Sequence, residues 1–221
     1  MKEIFENVFL SRGKLFTKNL TPGKRFCGEK ILRKDKIEFR SWNPYTSKLG
    51  AAILKGLKNL TIKEGSKILY LGIAEGTTAS YISDIIGEKG IIIGVEISEK
   101  PFQKLLNLCE ARKNIIPVLG DANKPEEYAD FVEEIGGVEI IYQDIAQKNQ
   151  TEILLKNIEY FLRKGGSAIY MLKAKSIDVV KDPKDIYIEE SKKISKLYEI
   201  LEVLDLEQYE KDHACFVIKV R

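Results

Sequence analysis

With one histidine and three cysteines among 221 residues, the chain has little from which to build a metal centre. Cys27, Cys109 and Cys215 lie far apart with no CxxC pair, so neither a disulfide framework nor a bound metal is expected. Long apolar runs are also missing. The strongest, IIIGV from Ile91, meets charged residues within a few positions, and the opening MKEIFENVF lacks the pattern of a secretory signal. The expectation is a soluble intracellular protein with no membrane partner. Repeats and low-complexity tracts are absent as well, which excludes solenoid and linker-rich architectures. The glycine spacings GxGxxG and GxxxxGK[ST] do not occur, which counts against a dinucleotide site and against a phosphate-cradling loop with its lysine.

What the chain has is 44% hydrophobic residues, enough for a sizeable core in one domain plus a modest extension. The net charge of +3 conceals an asymmetry: residues 1–60 hold 14 lysines and arginines against 5 acids, and the rest of the chain 22 against 28. A basic amino-terminal segment interleaved with Phe16, Phe26, Phe39 and Trp42 suits a polyanion such as RNA, whose backbone dominates affinity. The solvated, lysine-rich face of a heat-adapted protein gives the same composition. A net charge of +3 is weak for gripping structured RNA against cellular salt, so help from partners is expected.

Up to Trp42, the segments IFENVFL, KLFTKN, KRFCGEKILRK and IEFRSW read as short strands between SRG and TPG turns, predicting a small β-rich subdomain over residues 1–45. From Ser47 to Leu60, Leu49, Ala52, Ile53 and Leu57 recur at helical intervals, with Ser47 at the helix start and Lys48 in the first turn. From Ser66 the pattern alternates. Five β-branched runs, KILYLG, IIIGVEIS, NIIPVLGD, VEIIYQD and SAIYMLKA, are separated by helix-length segments such as PEEYADFVEEI, predicting a parallel sheet with crossover helices. A helix from about Asp185 to Tyr198 leads to EILEVLDLEQY and HACFVIKV, joined tightly enough to be antiparallel. Residues 46–221 are thus expected to form an α/β, Rossmann-like unit with helices on both faces.

In open α/β sheets ligands bind at the carboxyl ends of the strands, near the switch in strand order. At the end of the first parallel strand Gly72 and Gly76, with Ala74 between them, flank a turn that opens a helix, letting backbone amides approach a ligand; Thr77 and Thr78 add hydroxyl donors. Glu96 closes the next strand about twenty residues on, where a carboxylate accepts from both ribose hydroxyls. Asp121 ends the third strand in GDA, placed to meet an adenine amine. An acidic ribose clamp beside a non-phosphate glycine turn points to a nucleoside without pyrophosphate, hence S-adenosylmethionine over NAD.

Two further strand ends carry groups suited to proton handling, Asp144 in YQDIAQ and Lys173 in YMLKAKSID; Lys48 and the lone His213 join them. Together RSWNPYTSKLGAAI from Arg40, LYLGIAEGTTASYISDIIG from Leu69, GVEIS from Gly94, NIIPVLGDA from Asn114, YQDIAQ from Tyr142 and YEKDHA from Tyr209 resemble the fibrillarin family of RNA ribose methyltransferases over essentially the whole chain. The resemblance implies a seven-stranded methyltransferase sheet with a small β-rich N-terminal subdomain and S-adenosylmethionine as cofactor. It implies a catalytic set of Lys48, Asp144, Lys173 and His213, and cofactor contacts through Thr77, Thr78, Glu96, Asp121, Ala122 and Gln147. Its implied partners are a box C/D guide RNA with an rRNA or tRNA target, a Nop-type scaffold protein and a kink-turn-binding ribosomal-like protein. The Gly/Arg-rich tail of eukaryotic relatives is absent, which favours an archaeal-type protein in the cytoplasm. Three positions depart from the family pattern. Glu75 stands where a small residue is usual, Thr46 replaces an arginine, and Gln143 precedes Asp144. Glu75 is expected to alter cofactor affinity, because a carboxylate attracts a sulfonium and repels a carboxylate tail.

An alkyl alcohol is a poor nucleophile, so methyl transfer to a ribose 2′-oxygen needs in-line placement and removal of the hydroxyl proton. Orientation of two bound reactants is worth roughly 7–11 kcal/mol at best, and a general base adds about 10²–10⁴-fold. A lysine serves as base only when its pKa, ordinarily about 10.4, falls on burial or beside another cation. Asp144 opposes that fall, so Lys173 and Asp144 are expected to hold the hydroxyl and the cofactor together. The rival readings are a methyltransferase for another RNA position or for protein, and a particle subunit without turnover.

Overall fold

Asn7 divides the first expected strand. Its backbone turns left-handed, at φ 59°, a conformation that asparagine tolerates. Two strands result, β1 (Lys2–Phe5) and β2 (Val8–Ser11), where IFENVFL reads as one. With β3 (Lys14–Lys18), β4 (Ile31–Lys34) and β5 (Ile37–Trp42) they form an antiparallel sheet in the order β1-β2-β3-β5-β4. These elements, like those below, come from a computed structural model that describes residues 1–221. Only Ile31–Lys34 of the expected strand KRFCGEKILRK joins the sheet. The amides of Phe26 and Cys27 donate to the Glu29 carboxylate instead, so a carboxylate-centred loop replaces the ladder.

The next helix, α1 (Lys48–Leu54), is capped as expected, the Ser47 hydroxyl accepting from the Gly50 amide. It stops well short of Leu60 because the chain turns at Gly56, φ 98°. The alternating region then follows in order: β6 (Lys67–Leu71), α2 (Thr77–Ile86), β7 (Ile91–Glu96), α3 (Glu99–Ala111) and β8 (Ile115–Leu119). Next come a 3-10 turn (Pro125–Glu127), α4 (Ala129–Glu134), β9 (Ile140–Gln143), α5 (Gln150–Phe161), β10 (Ser167–Lys173) and α6 (Ala174–Ile177). The chain closes with α7 (Pro183–Ser195), β11 (Glu199–Asp205) and β12 (His213–Lys219). The segment PEEYADFVEEI is therefore not one helix. Tyr128, fully buried, interrupts it at φ −128°, with its hydroxyl bonded to Asn157 and directed at the Ala122 carbonyl. The last helix begins earlier than expected, with Pro183 in its first turn and Asp182 capping the Lys184 amide.

The large sheet has the order β11-β12-β10-β9-β6-β7-β8, seven strands as the family resemblance implies. β10, β9, β6, β7 and β8 are mutually parallel, and β12 runs antiparallel to both β10 and β11. Strand periodicity divides the apolar residues between two faces. Ile68, Tyr70, Ile92, Tyr142, Met171 and Cys215 share one core with residues of α1, α2, α3 and the N-terminal sheet. Leu69, Leu71, Val95, Ile141, Tyr170 and Phe216 share the other with α4, α5 and α7. No helix is long and apolar enough to cross a membrane.

A buried ionic cluster fastens the small sheet to α2. Asp84 takes Arg40 Nη1 at 2.8 Å and Arg112 Nη1 at 2.5 Å, together with the Thr17 hydroxyl and the Leu20 amide. Glu29 holds the other edge of Arg40, Nε at 2.6 Å. The Phe26 ring lies between the two guanidiniums, 5.0 and 4.7 Å from their carbons. This corrects the sequence reading of the aromatics. Phe16, Phe39 and Trp42 are buried, Trp42 stacking on Tyr81, and none of the four offers a face to RNA.

Candidate active site

The two-residue strand period aligns the expected catalytic residues. Asp144 lies two positions beyond Tyr142, Lys173 two beyond Met171, and His213 two before Cys215, so all three continue the face that α1 covers, at the carboxyl end of the parallel strands. Register pairs Lys173 directly with His213 across β10 and β12. Helix α1 packs on that face through Leu49, Ala51 and Ala52, which brings Lys48 Nζ to 2.9 and 3.0 Å from the two Asp144 oxygens. The pair is about one-fifth exposed, shielded enough to hold its geometry and open enough to meet a substrate.

His213 is almost wholly buried, with Nδ1 2.6 Å from the Lys211 carbonyl oxygen. Burial, reinforced by the Lys48 cation, pulls its pKa below the ordinary histidine range, against the opposing pull of that carbonyl, Glu210 and Asp144. It is neutral at neutral pH. With Nδ1–H given to the carbonyl, Nε2 is left as an acceptor. Beneath the ion pair the rings of Tyr70 and Tyr142 lie 4.5 Å apart. Burial first, then the Asp144 charge, pushes the Tyr70 hydroxyl well above its usual range, and Tyr142 is raised likewise by burial and by Tyr70. Both stay protonated.

Beside these residues a cleft of about 290 Å³ opens over the ends of β6, β7, β8 and β9. Gly72, Ala74, Glu96, Asp121, Ala122, Asp144 and Gln147 line it, as the sequence reading has them. Glu96 is fixed by two backbone donors, Ala74 N at 2.9 Å to one oxygen and Ser98 N at 2.8 Å to the other. A carboxylate has about four lone-pair sites, so each oxygen keeps one for a ribose hydroxyl. Asp121 Oδ1 accepts from the amide and side chain of Asn123, which lowers its pKa and keeps it ionised. A Cβ on Gly72 would stand 2.5 Å from the Asp144 carbonyl oxygen, so glycine is required where the first strand end meets the fourth.

Three expected contacts lie outside the cleft. Gly76 is held by packing, its Cα facing Leu105 and Leu108 of α3. Thr77 starts α2 with its carbonyl accepting from the Ser80 hydroxyl. Thr78 is buried, its hydroxyl 3.0 Å from that of Ser47, so it braces the start of α1. Glu75 does not line the cleft either; it pairs across the surface with Lys104 at 2.8 Å.

Sequence reasoning missed the groups that hold this arrangement. The fully buried Gln150 side chain donates to the carbonyls of Gln147 and Lys173 and accepts from the Lys173 amide, tying the two catalytic strand ends together. Gln143 donates to the Gln150 carbonyl, which gives that departure from the family pattern a structural place. Asn123 links Asp121 to Gln147. The Asp121-x-Asn123 spacing is an Asx-turn signal from which it was findable. A larger open cavity, about 1170 Å³, lies at the opposite end of the sheet beside Lys67, Gly136 and Gly166, and contains none of the strand-end residues.

The fibrillarin family model matches residues 1–221. The fibrillarin-like rRNA/tRNA 2′-O-methyltransferase of Pyrococcus abyssi is 50% identical over 206 residues, covering 93% of this chain and 89% of that protein. A crystal structure of Aeropyrum pernix fibrillarin with natively bound S-adenosyl-L-methionine superposes with a TM-score of 0.85 at 47% identity, over 93% of this chain and 88% of that one. A fibrillarin/Nop5p complex matches over the full length of both chains, with a TM-score of 0.91 and 42% identity.

Proposed function

This chain belongs to the fibrillarin family, and we propose that it transfers the methyl group of S-adenosylmethionine to a ribose 2′-hydroxyl of rRNA or tRNA. The observation that carries this reading is the position of Asp144, which both lines the cofactor cleft and holds Lys48 at 2.9 Å. One side chain thus touches the site of the methyl donor and the site of its acceptor.

The residues present fit the cofactor. Glu96 offers free lone pairs to the ribose, Asp121 an acceptor to the adenine amine, and the Gly72 turn a cradle that any side chain would fill. When bound, the cofactor supplies a methyl group activated by a sulfonium. The chain supplies placement: Asp144 accepts from the 2′-hydroxyl while Lys173 and Lys48 steady its oxygen. Orientation of this kind is worth roughly 7–11 kcal/mol, more than a base contributes. In this reading the neutral His213, cross-strand from Lys173, takes the proton as a secondary contribution.

A Nop-type scaffold protein is the partner that the full-length likeness to the fibrillarin/Nop5p complex supports. We extend the assembly to a box C/D guide RNA, which selects the target, and a kink-turn-binding protein. The amino-terminal surface suits them, because Glu29, Glu38 and Arg40 are buried while most of its lysines are exposed. Residues 46–221 then form the methyltransferase domain and residues 1–45 its buttress. The test is transfer of labelled methyl to a guide-paired RNA with and without these partners, followed by nucleoside analysis. Label in 2′-O-methylribose supports the reading; label only on a base or on protein overturns it.

A further inference from the structure

Of the exposed aromatic rings, Tyr160 borders the cavity at the far end of the sheet, Phe131 lies on α4, and Tyr45 stands three residues before Lys48. Tyr45 is 63% exposed, the most open aromatic in the molecule, in a turn that is rigidly held. Its amide donates to the Asn43 side chain at 3.0 Å, the Thr46 amide and hydroxyl donate to the Asn43 carbonyl, and Ser47 caps the helix that follows. The ring meets Tyr209 edge-on at 5.3 Å and 62°, and Tyr209 is half-buried against the core. Tyr209 lies four residues before His213, and Tyr45 three before Lys48, so the pair bridges the two segments that deliver these side chains to the site.

A tyrosine face left in water beside a polar site gains nothing for the fold. Single-stranded RNA is gripped where bases stack on aromatic side chains, and a tyrosine held in one rotamer loses little entropy when a base arrives. We propose that Tyr45, braced by Tyr209, is a stacking platform for a base of the target strand within one nucleotide of the methylated ribose. The proposal rests on the ribose-methyltransferase reading. It assigns Tyr45 to binding of the RNA, with no role in binding the cofactor.

The test uses the reconstituted particle and a target RNA carrying 2-aminopurine at, before or after the methylated nucleotide. With wild-type protein, fluorescence at one of these positions is quenched on binding, and in Tyr45→Leu that quenching is lost. The KM for RNA rises about 5- to 100-fold in Tyr45→Leu, as expected for one lost stack, while kcat falls less and cofactor affinity is unchanged. Tyr45→Trp and Tyr45→Phe restore the low KM. An unchanged KM in Tyr45→Leu, no quenching at any of the three positions, or a loss traced to weaker scaffold-protein binding overturns the proposal. Wild-type protein that leaves the ribose unmethylated refutes the underlying reading instead.

Discussion

Lys48 and Asp144, 96 residues apart in the chain, meet in a two-pronged ion pair, with Nζ 2.9 Å from one carboxylate oxygen and 3.0 Å from the other. Only Asp144 also lines the cofactor cleft. Lys48→Ala is therefore expected to lower kcat while cofactor affinity stays near wild type, and Asp144→Ala to lower both. Asp144→Ala and Lys173→Ala should each reduce turnover by at least about 10²-fold with the fold intact. Single-turnover methylation, calorimetric cofactor titration and circular dichroism separate these outcomes; wild-type rates in both variants remove the assignment.

Gly72→Ala tests the junction of the strand ends. The new Cβ collides with the Asp144 carbonyl at 2.5 Å from a residue at φ +77°. Cofactor affinity should weaken by about tenfold or more. Gly13, at φ +73° with open space around it, is the control: Gly13→Ala carries the conformational strain alone and should leave cofactor affinity unaltered.

Gln150→Leu removes the clamp between Gln147 and Lys173. It leaves the Lys173 amide without its acceptor, a loss of about 1–3 kcal/mol of stability by denaturant unfolding. Because it also frees the strand end that carries Lys173, kcat should fall more than cofactor affinity. Unchanged turnover in a stably folded variant would show that the clamp has no part in catalysis.

Asp84→Asn should be the more damaging change for stability. It removes the charge that faces both Arg40 and Arg112 in the interior, and breaking one side of a buried pair costs about 3–5 kcal/mol. The small sheet should loosen first, read as faster amide exchange in β3 and β5.

His213 makes stability depend on pH. Its folded pKa lies below the unfolded value of about 6.5, so the unfolded chain binds the proton more readily. The contribution is complete above that pH and is lost as pH falls through it toward the folded value. Melting temperatures measured from about pH 7 to about pH 5 should therefore fall more steeply for wild type than for His213→Gln. Parallel slopes would contradict the burial argument.

Much of this was legible in the sequence because it is local. Strand and helix periodicity, the Ser47 cap, the glycine turn and the acids closing strands follow from residues near one another in the chain, so the α/β order and the placing of Glu96, Asp121, Asp144 and Lys173 at one end of the sheet could be read directly. Tertiary structure alone decided which way side chains face across long separations. Thr78 turns to Ser47 and Glu75 to Lys104, while Phe26 fills the space between two guanidiniums. The basic, aromatic N-terminal segment read the same whether its rings met RNA or core. Burial of Phe16, Phe39 and Trp42 against α2 settled that, because apolar rings leave water wherever a partner face exists, and only the fold determines where one does.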